Sequence, residues 1–136
     1  MTREDAPAGL IVDISASVPY AGNPSYNIAK NAIDRLVWET AQLIGEKPIT
    51  SVSIYPGLVR TESVMLNAQY FDMSTSESTE YTGRAILALA TDAHVKQRDG
   101  GVFEVWRLAH EYDFTDVDGS RPGGPMARWS PPVDNP

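Results

Sequence analysis

Residues 23–57 read NPSYNIAKNAIDRLVWETAQLIGEKPITSVSIYPG. Asn23 is a helix-capping residue, and Pro24 sits in the first turn, where its missing N–H costs nothing. Ala29, Ile33, Leu36, Val37, Thr40, Leu43 and Ile44 recur at helical spacing, which predicts an amphipathic helix stopped by Gly45 and Pro48. Ile49 to Tyr55 then reads as a strand, ended by Pro56-Gly57. Upstream, Leu10-Ile11-Val12-Asp13-Ile14-Ser15 is a short apolar run bounded by Gly9, a second strand expected to be largely buried. Between them "ASVPYAGNP" (residues 16–24) holds two prolines and a glycine and reads as a loop. Strand, helix and strand joined this tightly make a βαβ unit, which implies a parallel pair with a right-handed crossover.

Beyond this unit, residues 62–78 are rich in Ser and Thr with scattered Met65, Leu66, Tyr70, Phe71 and Met73. Ser78 to Thr91 has a helical stripe in Tyr81, Ala85, Ile86, Leu89 and Ala90, and Glu77 and Glu80 suit the positive end of its dipole. Gly100-Gly101 introduces a third strand, Val102 to Trp106, and Leu108 to Tyr112 reads as one helical turn. Residues 121–136, "RPGGPMARWSPPVDNP", are expected to be a mobile tail. The expected architecture is therefore α/β, with about three parallel strands and flanking helices over residues 1–120 and a Pro/Gly-rich tail over 121–136.

A 136-residue chain with 42% hydrophobic and 21% charged residues suits one globular domain. Its formal net charge of −7 argues against nucleic acid or an anionic membrane as partner. With no cysteine, disulfides and thiolate chemistry are excluded, and the expected compartment is the cytoplasm. No leader-like or membrane-spanning apolar run is visible. His94 and His110 lack partners at metal spacing and read as surface residues. "DFTDVDG" tempts a calcium reading, but Phe114 and Pro125 stand where that loop needs acidic ligands.

Tyr26 and Lys30 lie four apart, so a helix presents them on one face. An ammonium near a phenol favours the phenolate and brings its proton within reach of acid–base chemistry. The pair alone carries little weight, a solvated helix pair being the commoner outcome. Its place matters more, because it opens a helix at the carboxyl edge of a parallel sheet, where open α/β folds put their ligands.

"GLIVDIS", "YNIAK" and "YPGLVRT", in this order and spacing, resemble the C-terminal half of the short-chain dehydrogenase/reductase family, from about Gly9 to Gly119. The resemblance implies a partial Rossmann-like fold and NAD(P)-dependent oxidation of alcohols or reduction of carbonyls. By it, Tyr26 is the acid/base, and Lys30 tunes it and binds the nicotinamide ribose. Pro56, Gly57, Val59 and Thr61 take the places that border the nicotinamide. The family's serine commonly precedes the tyrosine by about thirteen residues, a count that lands here on Asp13. An ungapped overlay puts Ala16 at that place; with a shortened loop, Ser15 is the assignment and Ser17 the alternative.

The glycine-rich turn that seats the pyrophosphate has no counterpart in the chain, since Gly100-Gly101 precedes a strand instead of following one. Only the nicotinamide side of an NAD or NADP site is therefore expected, with a small carbonyl or alcohol as substrate. Standing alone, the Leu10 strand leaves an open edge, which predicts self-association into a homo-oligomer through that edge and the long helix. Trp38 suits such a contact or, equally, the core. Residues 65–73 suit either a substrate loop or inward packing. The competing functional reading is a non-catalytic remnant or oligomerising interaction module.

Overall fold

The computed structural model describes residues 9–16 and 23–124; Ser17 and the tail from residue 125 onward lie outside the described residues. The elements run β1 (Gly9–Ile14), α1 (Pro24–Ile44), β2 (Ile49–Tyr55), α2 (Glu62–Leu66), α3 (Thr79–Thr91), β3 (Val102–Glu104) and α4 (Val105–Glu111). Short 3-10 turns at Ala68–Tyr70, Met73–Thr75 and Val95–Arg98 connect them. The strands form one parallel sheet in the order β1-β2-β3. Gly9 stands opposite Ile49 and Ile14 opposite Ile54, while Ser53 to Tyr55 pair with Val102 to Glu104.

Strand periodicity divides β2 between two unlike faces. Val52 and Ile54 join Tyr81, Ala85 and Leu89 of α3 and Val105, Leu108 and Ala109 of α4 in the buried core. Ser53 and Tyr55 turn the other way, under α1, where both hydroxyls donate to Asp34, that of Ser53 at 2.8 Å. Burial first, and then the Asp34 carboxylate, hold the Tyr55 phenol well above its ordinary pKa. The α1 face of the sheet is thus secured partly by a polar contact.

The capping residues act as their chemistry dictates. The Asn23 side chain accepts from the Tyr26 N–H (3.0 Å), and α1 ends at Gly45. Ser78 caps α3 by accepting from the Tyr81 N–H at 3.2 Å.

Several expectations need correction. On α1 only Val37 and Ala41 are buried; Leu36 is 58% and Leu43 85% exposed, because a three-stranded sheet is too narrow to cover so wide a stripe. Trp38 is no core residue: it lies half-exposed with the Arg35 guanidinium 4.8 Å over its ring. Ala90 is exposed and Ile86 only half-buried. The third strand stops at Glu104, and Val105 starts a helix instead, since Val105, Leu108 and Ala109 at i, i+3 and i+4 gain more by packing on α3 than a longer strand would. Met65, Leu66 and Tyr70 are exposed, so inward packing does not account for that segment.

A buried carboxylate ties the far end of the chain to these elements. Asp116 accepts from the Ser78 N–H (2.8 Å), the Ser78 hydroxyl and the Val117 N–H (2.7 Å), and faces Arg60 at 3.6 Å. Burial pushes its pKa up, but the Ser78 bonds, Val117 and Arg60 together pull harder and leave it below the usual carboxylate range. A carboxyl depressed on folding adds stability above its unfolded pKa and loses it as pH falls through the folded one. Asp116→Ala should therefore cost about 2–3 kcal/mol in urea unfolding at pH 7. The deficit should shrink towards pH ~3, as the wild-type carboxyl takes up its proton.

Candidate active site

The first turns of α1 stand at the carboxyl ends of β1 and β2. There the strand and helix hold each other reciprocally. The Ser15 hydroxyl donates to the Lys30 carbonyl (3.0 Å), and the Lys30 ammonium donates to the Ile14 carbonyl (3.0 Å). The ladder continues past β1 with the Ser15 N–H donating to the Ile54 carbonyl at 2.9 Å. With its stem thus anchored, Lys30 Nζ lies 5.6 Å from the centre of the Tyr26 ring. The Ser15 hydrogen is committed to the helix, while the methyl of Ala16 borders the cleft.

The opposite wall comes from the segment after β2. Leu58 accepts from the Glu77 N–H (2.9 Å) and the Arg60 N–H donates to the Glu77 carbonyl (2.8 Å), a parallel bridge that fixes the course of Val59. Arg60 also donates to the Ser76 carbonyl at 2.7 Å. Thr61 caps α2 by accepting from the Val64 N–H (3.3 Å), which leaves its own hydrogen to donate outward. The two walls enclose a cavity of about 260 Å³ bordered by Ser15, Tyr26, Lys30, Pro56, Gly57, Val59 and Thr61. All seven residues singled out from the sequence therefore meet at one place, and Ser17 lies outside the described residues.

Glu77 was missed. Its position in the sequence suits a dipole partner, a role that Glu80 fills in the first turn of α3. Glu77 instead precedes the Ser78 cap and turns inward, wholly buried. Its Oε1 accepts from the Thr82 hydroxyl at 3.3 Å, while Oε2 lacks a well-formed hydrogen bond and lies 2.9 Å from where a Cβ on Gly57 would stand. A Cβ at Gly57 would press on this oxygen and oblige the Glu77 carboxyl to shift. A serine- and threonine-rich flank in the sequence gives no hint that this carboxyl folds under the turn.

Among the described residues no three His, Asp or Glu gather to hold a metal, and no helix is long and apolar enough to cross a membrane. His94 and His110 are exposed. What the cavity offers is a phenol beside a fixed ammonium, hydroxyls of Ser15 and Thr61, and an apolar wall.

No family model matches the chain. It is 33% identical over 126 aligned residues to dehydrogenase/reductase SDR family member 1 of Homo sapiens, and equally to that of Mus musculus. The match takes in 82% of this chain and 40% of the relative, so the chain spans well under half the length of these proteins. An oxidoreductase of the short-chain dehydrogenase/reductase family from Burkholderia thailandensis shares the fold with a TM-score of 0.60 at 19% identity, over 71% of this chain and 43% of that one. An angucycline C-6 ketoreductase with bound NADP also scores 0.60, at 16% identity, over 72% of this chain and 42% of its own.

Burial is the main influence on Glu77 and raises its pKa; the Gly57 N–H and the Thr82 hydroxyl offset part of this, Asp116 adds to it and Arg60 opposes it, leaving about 7. A carboxyl raised on folding contributes stability that is complete below its unfolded pKa and is lost as pH rises through the folded value. Stability should therefore decline between about pH 5 and pH 8 by a few kcal/mol at most. Glu77→Gln should flatten that decline in urea unfolding followed across the same range.

Proposed function

This chain is related in sequence to short-chain dehydrogenase/reductases and has their fold, and we propose that it carries the proton-transfer half of a nicotinamide-dependent oxidoreductase acting on a small carbonyl or alcohol. The observation that supports the reading best is the meeting of Tyr26, Lys30 and the Pro56–Thr61 wall around one cavity.

The residues present fit part of a dinucleotide. At about 260 Å³ the cavity falls below the ~300–1,000 Å³ common for whole drug-sized ligands, which suits a nicotinamide and its ribose. Lys30, anchored on Ile14, would donate to the ribose hydroxyls, and Val59 and Thr61, which line the same cavity, would border the carboxamide. When bound, the dinucleotide supplies or accepts the hydride. The chain provides no glycine-rich turn for the pyrophosphate.

In carbonyl reduction the Tyr26 hydroxyl gives its proton to the substrate oxygen, and in alcohol oxidation the phenolate takes it back. An ammonium this near the ring favours the phenolate. Lys30 can supply that charge without moving, because the Ile14 carbonyl holds it. Orientation of the carbonyl by Ser15 requires its hydroxyl to exchange the Lys30 carbonyl for the substrate oxygen. Ser15 is thus first a strand-to-helix fastener and only second a substrate contact. The compartment and the self-association through β1 and α1 proposed from the sequence accompany this reading; Ile11 and Ile14 of β1 are 43% and 42% exposed.

Titrating NADH and NADPH into the purified chain while following nicotinamide fluorescence tests the proposal. Saturable binding is expected, with Tyr26→Phe keeping the binding and lowering turnover of a ketone by about 100-fold or more. Lys30→Met should weaken both. Absence of binding at millimolar cofactor would overturn the enzymatic reading and leave the interaction module.

A further inference from the structure

Glu77 meets the Pro56–Thr61 wall twice. Its main chain brackets Val59, donating its N–H to the Leu58 carbonyl and accepting from the Arg60 N–H. Its side chain folds under the same wall at Gly57, whose N–H faces the carboxyl. Gly57 borders the cleft of Tyr26 and Lys30 on one side and packs on this carboxyl on the other. At that residue the wall is a bare main chain. The carboxyl does not line the cleft, so a ligand bound there would feel its charge without touching it.

Burial makes such a charge effective. Glu77 is wholly buried, and water does not screen it as it screens a surface carboxylate. The ionisable groups that face it are Arg60 on the wall, Tyr81 on α3 and Asp116 on the chain beyond α4. Glu104, at the end of β3, is bound by Arg107. Asp116 is held below the usual carboxylate range, and burial, followed by Glu77 and Asp116, pushes the Tyr81 phenol up to about 12. Arg60 keeps its charge throughout. Of Arg60, Tyr81, Asp116 and Glu77, only Glu77 changes charge between about pH 6 and pH 9.

An oxidised nicotinamide ring is cationic and the reduced ring is neutral, while the rest of the dinucleotide is the same in both. Among the described residues that border the cleft, Lys30 is the one charged side chain, and it repels the cationic ring. The opposite charge lies behind Gly57. We propose that Glu77 is a positioning residue whose carboxylate, acting through the Gly57 turn, sets the preference of the cleft for the oxidised over the reduced nicotinamide. The inference rests on reading the cleft as a nicotinamide site.

The test measures binding of NADH by its fluorescence, and of NAD by competition, to the full chain carrying Tyr26→Phe, which removes the titrating hydroxyl of the cleft. The ratio of the NADH Kd to the NAD Kd should rise about three- to tenfold between about pH 6 and pH 8.5, as the carboxylate forms. Adding Glu77→Gln should leave the ratio flat. Thr82→Val, which removes the hydroxyl that donates to Glu77 at 3.3 Å, should move the midpoint up by about half a pH unit. A purely structural role for either residue would move neither the slope nor the midpoint. Carbon-13 NMR of the Glu77 carboxyl, assigned by Glu77→Gln, gives a second readout: its midpoint near 7 should fall when NAD binds and stay when NADH binds. Binding of both forms with a ratio indifferent to pH, or a Glu77 midpoint that NAD leaves unmoved, would overturn this inference alone. Absence of any dinucleotide binding would overturn it together with the enzymatic reading.

Discussion

Everything at the cleft depends on the pair of hydrogen bonds that locks β1 to α1. Ser15 gives its hydroxyl hydrogen to the carbonyl of Lys30, and Lys30 returns its ammonium to the carbonyl of Ile14. A helix N-terminal region leaning on a strand end is usually free to rock, since the hydrophobic contact beneath it is non-directional. Two opposed, directional bonds remove that freedom. They also spend the two groups most often treated as solvent-facing, a serine hydroxyl and a lysine head, on geometry before any ligand arrives.

The opposite wall is held by different means. Main-chain bonds run between Leu58–Arg60 and Glu77, and side-chain bonds from Arg60 reach Ser76, so the loop after β2 behaves as a short additional strand lying beside the start of α3. Glu77 fills the space under Gly57, and Asp116 holds Ser78 immediately beyond. One buried carboxyl is pushed up and its neighbour held down, because the first meets few donors and the second meets several. The two therefore oppose each other's pH dependence, the first favouring the fold in acid and the second away from it.

Local chemistry made much of this legible in the sequence. The limits of β2, the Asn23 cap, the Gly45 stop and the meeting of Tyr26 with Lys30 follow from rules that act within a few residues. The Pro56–Thr61 segment reached the cleft through its family resemblance and through nothing local. What escaped was set by distant partners. Ala41 is buried and Leu43 is not because of where the sheet ends, and Val105 leaves β3 because α3 lies beside it. Glu77 gained its significance only when residues 56–58 were folded against it. No periodicity within either segment encodes that encounter.

Asp116 carries a further consequence, concerning order in time. It grips Ser78, 38 positions earlier, and stands against Arg60, earlier still. Closing spans of that length is entropically costly, and such contacts form late relative to neighbouring ones. During synthesis from the N-terminus, β1, α1 and β2 emerge before α3 and α4, with every residue needed for their own pairing. The Ser78 anchor of the cleft's far wall must wait for residue 116 to leave the ribosome, so Tyr26 and Lys30 are in place well before that wall is fastened.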